Sequence, residues 1–433
     1  MVKLVDHPVY GKGEVIQSRY GEFEYLVKFN DGIQRWVRKE EVRFLSENPI
    51  LFRTQVSTPN AMPKAQFEAR QMIEAFRLGI VPQGKVNEFT FGRENEINAI
   101  TQWLRNPNAT TLLLIGEYGS GKTHLLEYIY SLALQNNWAV SLIYLDTNEL
   151  PFHKPKRIYN AIIRSFRYLK DKYPCDFYEF LREIAKRPDS YKIESHKYLG
   201  WATRWMKGGI DDKYILEWIE GHGGEKWYPQ LRESSTCANI YCNILSGIGW
   251  AAKNILGLNG FLILFDESES VDPYWYSQYQ AKRVWNFLTG LILMCNNDMR
   301  LLKEKVEINY QRQGYYGTLT DLQYSGHDLD VRYLWNTLCS VKCIFAFTDD
   351  SILFREPLNH IEKIKIELLS KDVLNEIFGK ICLLYAKAYN KNEAIPKESF
   401  SSQNTRAFIK SVVEALDIEE VSQNINRGAR RNE

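Results

Sequence analysis

Eight consecutive residues, Gly116-Glu117-Tyr118-Gly119-Ser120-Gly121-Lys122-Thr123, have the spacing Gly-x4-Gly-Lys-Thr. They lie between a short apolar run starting at Thr111 and a helix-like segment that continues through His124-Leu125-Leu126. In a strand-turn-helix setting this pattern suits a phosphate group. Without side chains at Gly119 and Gly121 the backbone can curl until several N–H groups converge; the helix start adds its positive end, and Lys122 a mobile ammonium. Thr123 would offer a hydroxyl to Mg²⁺. A second apolar run, Phe261 to Phe265, delivers two adjacent carboxylates, Asp266 and Glu267. Asp266 is suited to hold Mg²⁺ through water, and Glu267 to orient and deprotonate an attacking water. The structural alternatives are a glycine turn, a helix-capping Asp266 and an exposed Glu267. Two complementary motifs in one chain favour the chemical reading.

These groups need a sheet to present them. Ala139 to Leu145 reads as a buried parallel strand ending at Asp146, and Cys343 to Phe347 as another ending at Thr348. Polar groups at such strand ends lie near the binding crevice of an α/β sheet. Asp146 and Thr147 are therefore secondary candidates, with turn capping the alternative. Thr348 could bond the attacking water or the γ-phosphate, or simply satisfy the strand end. Ile364 to Leu368 reads as a final strand, with Ser370 capping a helix from Lys371. Upstream, Gln66 to Leu78 places Phe67, Met72, Ile73 and Phe76 on one helical face, with Arg70 and Arg77 outside it. The expected domains are a small β-barrel at 1–46, a linker at 47–65, an α/β phosphate-loop core at 66–368 with a helical insertion at about 151–258, and a helical lid with a basic tail at 369–433. The tail carries Arg427, Arg430 and Arg431. In the insertion, Tyr198, Trp201, Trp205, Trp218, Trp227 and Trp250 are expected to bury helices; Arg204, Lys207 and Lys213 nearby would face water or grip nucleic acid.

Composition bounds the rest. The 433 residues exceed one ordinary core, and 45% apolar residues are globular in tone. A net charge of +2 confines any nucleic-acid contact to local patches. The 7 cysteines are odd in number and contain no Cys-x-x-Cys pair, so buried thiols are expected rather than a disulfide framework or zinc ribbon. The absence of a long uncharged apolar stretch and of a signal-like N-terminus points to a cytoplasmic protein without a membrane segment.

Residues 1–46 include Val9-Tyr10-Gly11-Lys12-Gly13-Glu14-Val15-Ile16 and Val27-Lys28-Phe29-Asn30-Asp31-Gly32, which resemble the SH3-like or Tudor-like modules of the CarD family and of some DNA helicases. That resemblance implies a module for docking protein or nucleic acid, and its mixed charges favour protein. Phe91-Gly92-Arg93-Glu94 is similar to the turn with which AAA+ proteins frame adenine, so Arg93 joins the nucleotide-site candidates. The order of motifs resembles the additional-strand class of phosphate-loop NTPases, which includes AAA+ proteins and generally hydrolyses ATP. In that class Thr348 corresponds to the first sensor, Arg406 to the lid arginine that reaches the γ-phosphate, and Arg355, then Arg332, to an arginine finger from a neighbouring subunit. Ala69 to Gly79, Phe91 to Glu94, Gly116 to Leu126, Asp266-Glu267-Ser268-Glu269 and the Arg406 segment together resemble the ATP-binding proteins of bacteriophage exclusion (BREX) defence systems. The resemblance implies ATP and Mg²⁺ as ligands, partner proteins of a defence complex, possible action on DNA, and a nucleotide-dependent homo-oligomer. A nucleotide-gated scaffold with little turnover and an origin-recognition-like DNA loader are the alternatives.

Overall fold

The chain, seen in a computed structural model that describes residues 4–7, 11–19, 24–29, 34–38, 42–44, 63–209, 212–219, 229–348, 351–391 and 404–429, divides into two units, Met1–Ala61 and Met62–Glu433. In the first, β1 (Leu4–His7), β2 (Gly11–Arg19), β3 (Glu24–Phe29), β4 (Gln34–Arg38) and β5 (Arg43–Phe44) pair in antiparallel fashion in the order β4-β3-β2-β1-β5. Tyr25, Val27 and Phe29, alternate residues of β3, are buried with Val5, Val37 and Val42, as a pleated strand requires. A register shift between Val15 and Gln17 marks a bulge. Among the described residues β4 and β5 are the sheet's edges. The expected turn at Asn30–Gly32, the linker residues 47–62, Trp227, Arg430 and Arg431 lie outside the described residues.

The second unit begins with α1 (Lys64–Arg77) and α2 (Glu94–Arg105), followed by β6 (Thr111–Ile115), α3 (Lys122–Gln135), β7 (Ala139–Tyr144) and α4 (Pro155–Ser165). A hairpin of β8 (Tyr168–Lys170) and β9 (Tyr173–Cys175) leads to α5 (Phe177–Lys186), α6 (Leu199–Lys207), α7 (Asp212–Ile219) and α8 (Ala238–Asn254). Then come β10 (Phe261–Asp266), α9 (Gln278–Cys295), α10 (Met299–Lys303), and a three-stranded antiparallel sheet of β11 (Val306–Asn309), β12 (Gly314–Gly317) and β13 (Gln323–Tyr324). The chain continues through β14 (Val341–Phe347), β15 (Glu362–Lys365), α11 (Lys371–Tyr389) and α12 (Thr405–Ala429).

A five-stranded parallel sheet, ordered β15-β6-β14-β10-β7, organises this unit. Alternate residues of its strands feed two cores. Leu112, Leu114, Val140, Leu142, Leu262, Leu264, Ile344 and Ala346 pack against α2 and α3. Leu113, Ile143, Ile263, Phe265, Phe345 and Phe347 pack against α4, α8 and α9. Burial on both faces explains why Leu112–Ile115 of β6, Phe261–Phe265 of β10 and Cys343–Phe347 of β14 are apolar without interruption. β14 is also held at its foot: the buried Lys342 amine donates to the carbonyls of Trp103 (2.8 Å) and Asn106 (2.7 Å) at the end of α2. Burial, and then the charge of Lys253, lowers that amine to about 8.

Several boundaries differ from the sequence reading. α4 and α8 lie against the sheet as its second helical layer, so the excursion from the sheet runs from β8 to α7 rather than over all of 151–258. Its aromatics are mainly core: Tyr198 and Trp218 are buried, and Trp201 and Trp205, like Trp250 on α8, pack against the same cluster. Arg204 and Lys207 are engaged by the Glu194 carbonyl and carboxylate. The last strand starts at Glu362 and ends at Lys365, although Ile366 N–H still bonds Ile115 at 2.6 Å. α1 packs on α11 and α12 with Ala69, Met72, Ile73 and Phe76 inward. Phe67 is 53% exposed, because 100° per residue puts it on the opposite side from that stripe. Arg70 and Arg77 are engaged by partners: the exposed Arg70 donates to Ala388 O, and the half-buried Arg77 to the Asp417 carboxylate and Tyr389. The cysteines are free thiols, all buried except the half-buried Cys175. Among the described residues no helix is long and apolar enough to cross a membrane.

Candidate functional site

The loop between β6 and α3 sits at the C-terminal edge of the sheet, where a parallel sheet opens to ligands. Gly119 and Gly121 have φ of 82° and 98°, the left-handed region that a side chain disfavours, and this lets the loop wrap before α3 starts at Lys122. The Lys122 ammonium donates to the loop's own carbonyls, Gly116 at 2.8 Å and Glu117 at 3.2 Å. Ser120 is buried, and its hydroxyl has no partner. Tyr118 is exposed at the loop's tip.

β14 separates β6 from β10, yet the two strand ends meet through side chains. Thr123 Oγ1 donates to Asp266 Oδ2 at 2.6 Å. Asp266 is buried, and burial raises its carboxyl above the ordinary range against the pull of Thr123, the Glu267 N–H and Lys122. Glu267 follows in a left-handed conformation (φ 53°, ψ 42°) that turns the chain sharply off β10. Its carboxyl is also raised, by burial and then by Asp266 and Glu269; Lys122 and Arg406 oppose the rise. Glu269 is the third acid of the cluster, again raised chiefly by burial. One oxygen of Glu269 accepts from both the backbone N–H and the hydroxyl of Thr348, and the other is buried without a partner. Sequence reading noted Glu269 only as part of a resemblance. Two carboxylates one turn apart at the end of an apolar strand were the available signal.

Thr123, Glu267, Glu269 and Thr348 line a cavity of about 240 Å³ that also includes Arg93, His124, Thr405 and Arg406; Asp266 lies behind it, bonded to Thr123. The rest of its lining is largely apolar: Phe76, Ile80, Phe89, Phe91, Leu369 and Ile377 come from α1, the chain between α1 and α2, and the segment that leads into α11 with its first turns. A phosphate-gripping end and an apolar end in one cleft suit a ligand with a charged tail and a flat hydrophobic head.

The structure brings most of the expected residues to this cleft, with different duties for some. Arg93 is buried, and its guanidinium donates to Ser120 O (2.6 Å), Glu367 O (2.7 Å) and Glu96 (2.8 Å), so it fixes the loop to the end of the sheet. His124 Nε2 lies 2.9 Å from Thr90 Oγ1, whose own proton goes to Val86 O; the imidazole is therefore the donor. Burial, reinforced by Arg93, lowers His124 to about 4. Arg406 reaches toward the Leu78 carbonyl at 3.5 Å. Asn404, which sequence reading did not single out, donates to Tyr118 O at 3.2 Å and lies against Gly119, joining α12 to the phosphate loop.

Four candidates lie away from the cleft walls. Asp146 is exposed, and its carboxylate accepts from Asn148 N (2.7 Å) and Glu149 N (2.8 Å), the turn-capping alternative; Thr147 sits in the same turn. Arg355 is exposed in the segment between β14 and β15. Arg332 donates to Leu329 O at 2.9 Å.

The adjoining oxygens of Thr123 and Asp266 fit a hard divalent cation such as Mg²⁺. Residues 65–174, from α1 to β9 and including the phosphate loop, match the family described as BREX system ATP-binding protein BrxC/D. No curated protein matches the chain.

Proposed function

We propose that this chain binds ATP with Mg²⁺ in the cleft between the parallel sheet and the C-terminal helices and hydrolyses it, as an AAA+-like phosphate-loop ATPase of a BREX-type anti-phage defence assembly. The observation that carries this reading is the 2.6 Å contact of Thr123 with Asp266, which joins the phosphate loop to the acidic strand across an intervening β14. That intervening strand supports the additional-strand class, and the match over residues 65–174 supports the BREX assignment.

In this reading Lys122 leaves the loop carbonyls to meet phosphate oxygens, and the loop N–H groups hold the rest of the anion. Mg²⁺, held by Thr123 and Asp266, would neutralise phosphate charge. Glu267 accepts a proton from the attacking water, and its raised pKa suits that task. Arg406 lends positive charge from the lid, and the exposed Arg355 is the arginine offered to a neighbouring copy in a nucleotide-dependent homo-oligomer. The apolar wall takes the adenine. The N-terminal unit serves as an SH3-like docking module for a partner protein of a cytoplasmic complex, and the turnover acts on DNA or on a DNA-modifying partner.

The test is ATP turnover with and without duplex DNA. Lys122→Ala should abolish nucleotide binding; Glu267→Gln should keep binding and slow turnover by about 10²-fold or more. Equal turnover in wild type and Glu267→Gln would sink the hydrolytic mechanism. The Asn404 contact with the loop favours one further reading, a nucleotide-gated switch, for which strong ATP-dependent association with very slow turnover would speak.

A further inference from the structure

Thr348 ends β14 beside the cleft, and a hydroxyl there has two possible uses: to donate to a phosphate oxygen or to accept from a water. The structure distinguishes them. After Glu267 turns the chain, a short 3-10 segment, Ser268–Val271, brings Glu269 back to the end of β14. The segment is pinned at three points: Ser268 Oγ donates to Phe265 O (3.1 Å), Ser270 Oγ to Glu267 O (2.8 Å), and Tyr276 OH to Ser270 O (2.8 Å). Glu269 accepts both the Thr348 N–H and the Thr348 hydroxyl proton on one oxygen.

We propose that Glu269 is a positioning residue that makes the Thr348 hydroxyl an acceptor only, so that Thr348 acts on the attacking water and not on the phosphate. A hydroxyl has a single proton. With that proton committed to a carboxylate, only lone pairs face the cleft. Phosphate oxygens also offer only lone pairs, so no hydrogen bond can form between them and Thr348. Water can donate. Its two hydrogens then have two acceptors, Thr348 Oγ1 and the Glu267 carboxylate, and its own lone pair is left for the γ-phosphorus. In the step, the water oxygen bonds phosphorus, the bond to the β–γ bridging oxygen breaks to leave ADP, and the proton goes to Glu267.

This rests on the hydrolytic reading, and the experiment separates the two. Turnover and the Kd for the Mg²⁺ complex of the fluorescent analogue mant-ATP are measured for wild type, Glu269→Met, Glu269→Gln, Thr348→Val and Glu269→Met/Thr348→Val, with thermal unfolding of each. Met fills the space without an acceptor; Gln keeps an acceptor oxygen. Glu269→Met and Thr348→Val should each lower kcat by about tenfold to a hundredfold with Kd within about twofold. Glu269→Gln should recover most of the loss, and the double variant should be no slower than the slower single. A Glu269→Gln variant as slow as Glu269→Met, additive losses in the double variant, or Kd moving as far as kcat would overturn the assignment of Glu269 while leaving the hydrolytic reading intact. A Thr348→Val protein that keeps wild-type kcat would also overturn it, even if the Glu269 variants fail to fold. A wild-type chain that binds mant-ATP but does not turn over ATP would overturn both.

Discussion

At Arg93 one guanidinium gathers acceptors from three separate stretches of chain: the Ser120 carbonyl in the phosphate loop, the Glu367 carbonyl past β15, and the Glu96 carboxylate on its own helix. A planar fork can hold divergent acceptors at once; an ammonium on a flexible stem cannot keep the same geometry. Arg93→Lys should therefore loosen the loop and weaken nucleotide binding, by about tenfold on the scale of a charge-assisted hydrogen bond. Titration with mant-ATP would show it, and an unchanged Kd would count against the bracing role. The placement of the candidate residues was legible where it is local in sequence. Gly116 to Thr123 and Asp266-Glu267 declare themselves because each motif is contiguous. Glu269, Asn404 and the bracing duty of Arg93 were hidden because their partners lie in distant parts of the chain. Asp146 misdirects for the converse reason: a carboxylate at a strand end satisfies the same pattern whether it meets a ligand or its own turn.

Among the elements, β6, β7, β10 and β14 of the parallel sheet were readable because burial on both faces demands long apolar runs, whereas the start of β15 was not, because this edge strand is charged and exposed. The short sheet of β11, β12 and β13 was not expected, since its polar, tyrosine-rich strands lack such a run. Phe67 shows that a grouping of apolar residues needs its angles checked: hydrophobic type alone did not put it on the buried stripe. The excursion from β8 to α7 carries a pH dependence of its own. Beside α6, His196 is fully buried; Nδ1 accepts the N–H groups of Tyr198 (3.1 Å) and Leu199 (3.2 Å), and Nε2 donates to Asn243 O (3.1 Å). Protonating Nδ1 would destroy both of its bonds, and burial lowers the imidazole to about 4. Between about 4 and the ordinary 6.5 the unfolded chain binds the proton and the folded one does not, so stability is lost as pH falls through that window. The full loss is about 3 kcal/mol for this one group. Urea unfolding at pH 7.5 and pH 5 should show the drop, and His196→Gln should shrink the difference. An equal difference in the variant would rule His196 out as its source; His124, also lowered to about 4, contributes in the same direction.

At the scale of the molecule, the cleft proposed for the nucleotide is bordered by two bodies within Met62–Glu433: the sheet with its two helical layers, and the cluster of α1, α11 and α12. The two touch across the cleft through Asn404 on Tyr118 O, at the surface of the second cluster rather than in its core; Arg406 bonds Leu78 O within that cluster and reaches Glu267 only through its charge. Hydrogen exchange with and without Mg²⁺ and ATP should therefore slow amides in Gly116–Thr123 and at the start of α12, and leave those of β14 unchanged. A nucleotide response spread evenly along β14 would contradict this division. The reason lies in how β14 is mounted. It is hydrogen-bonded on both edges, to β6 and β10, clad on both faces, and bolted at its foot by the Lys342 amine to the end of α2. Thr348 at its tip is thus the stationary jaw of a vice, and in the proposed ATPase any work drawn from the nucleotide falls to the jaw carrying Asn404 and Arg406.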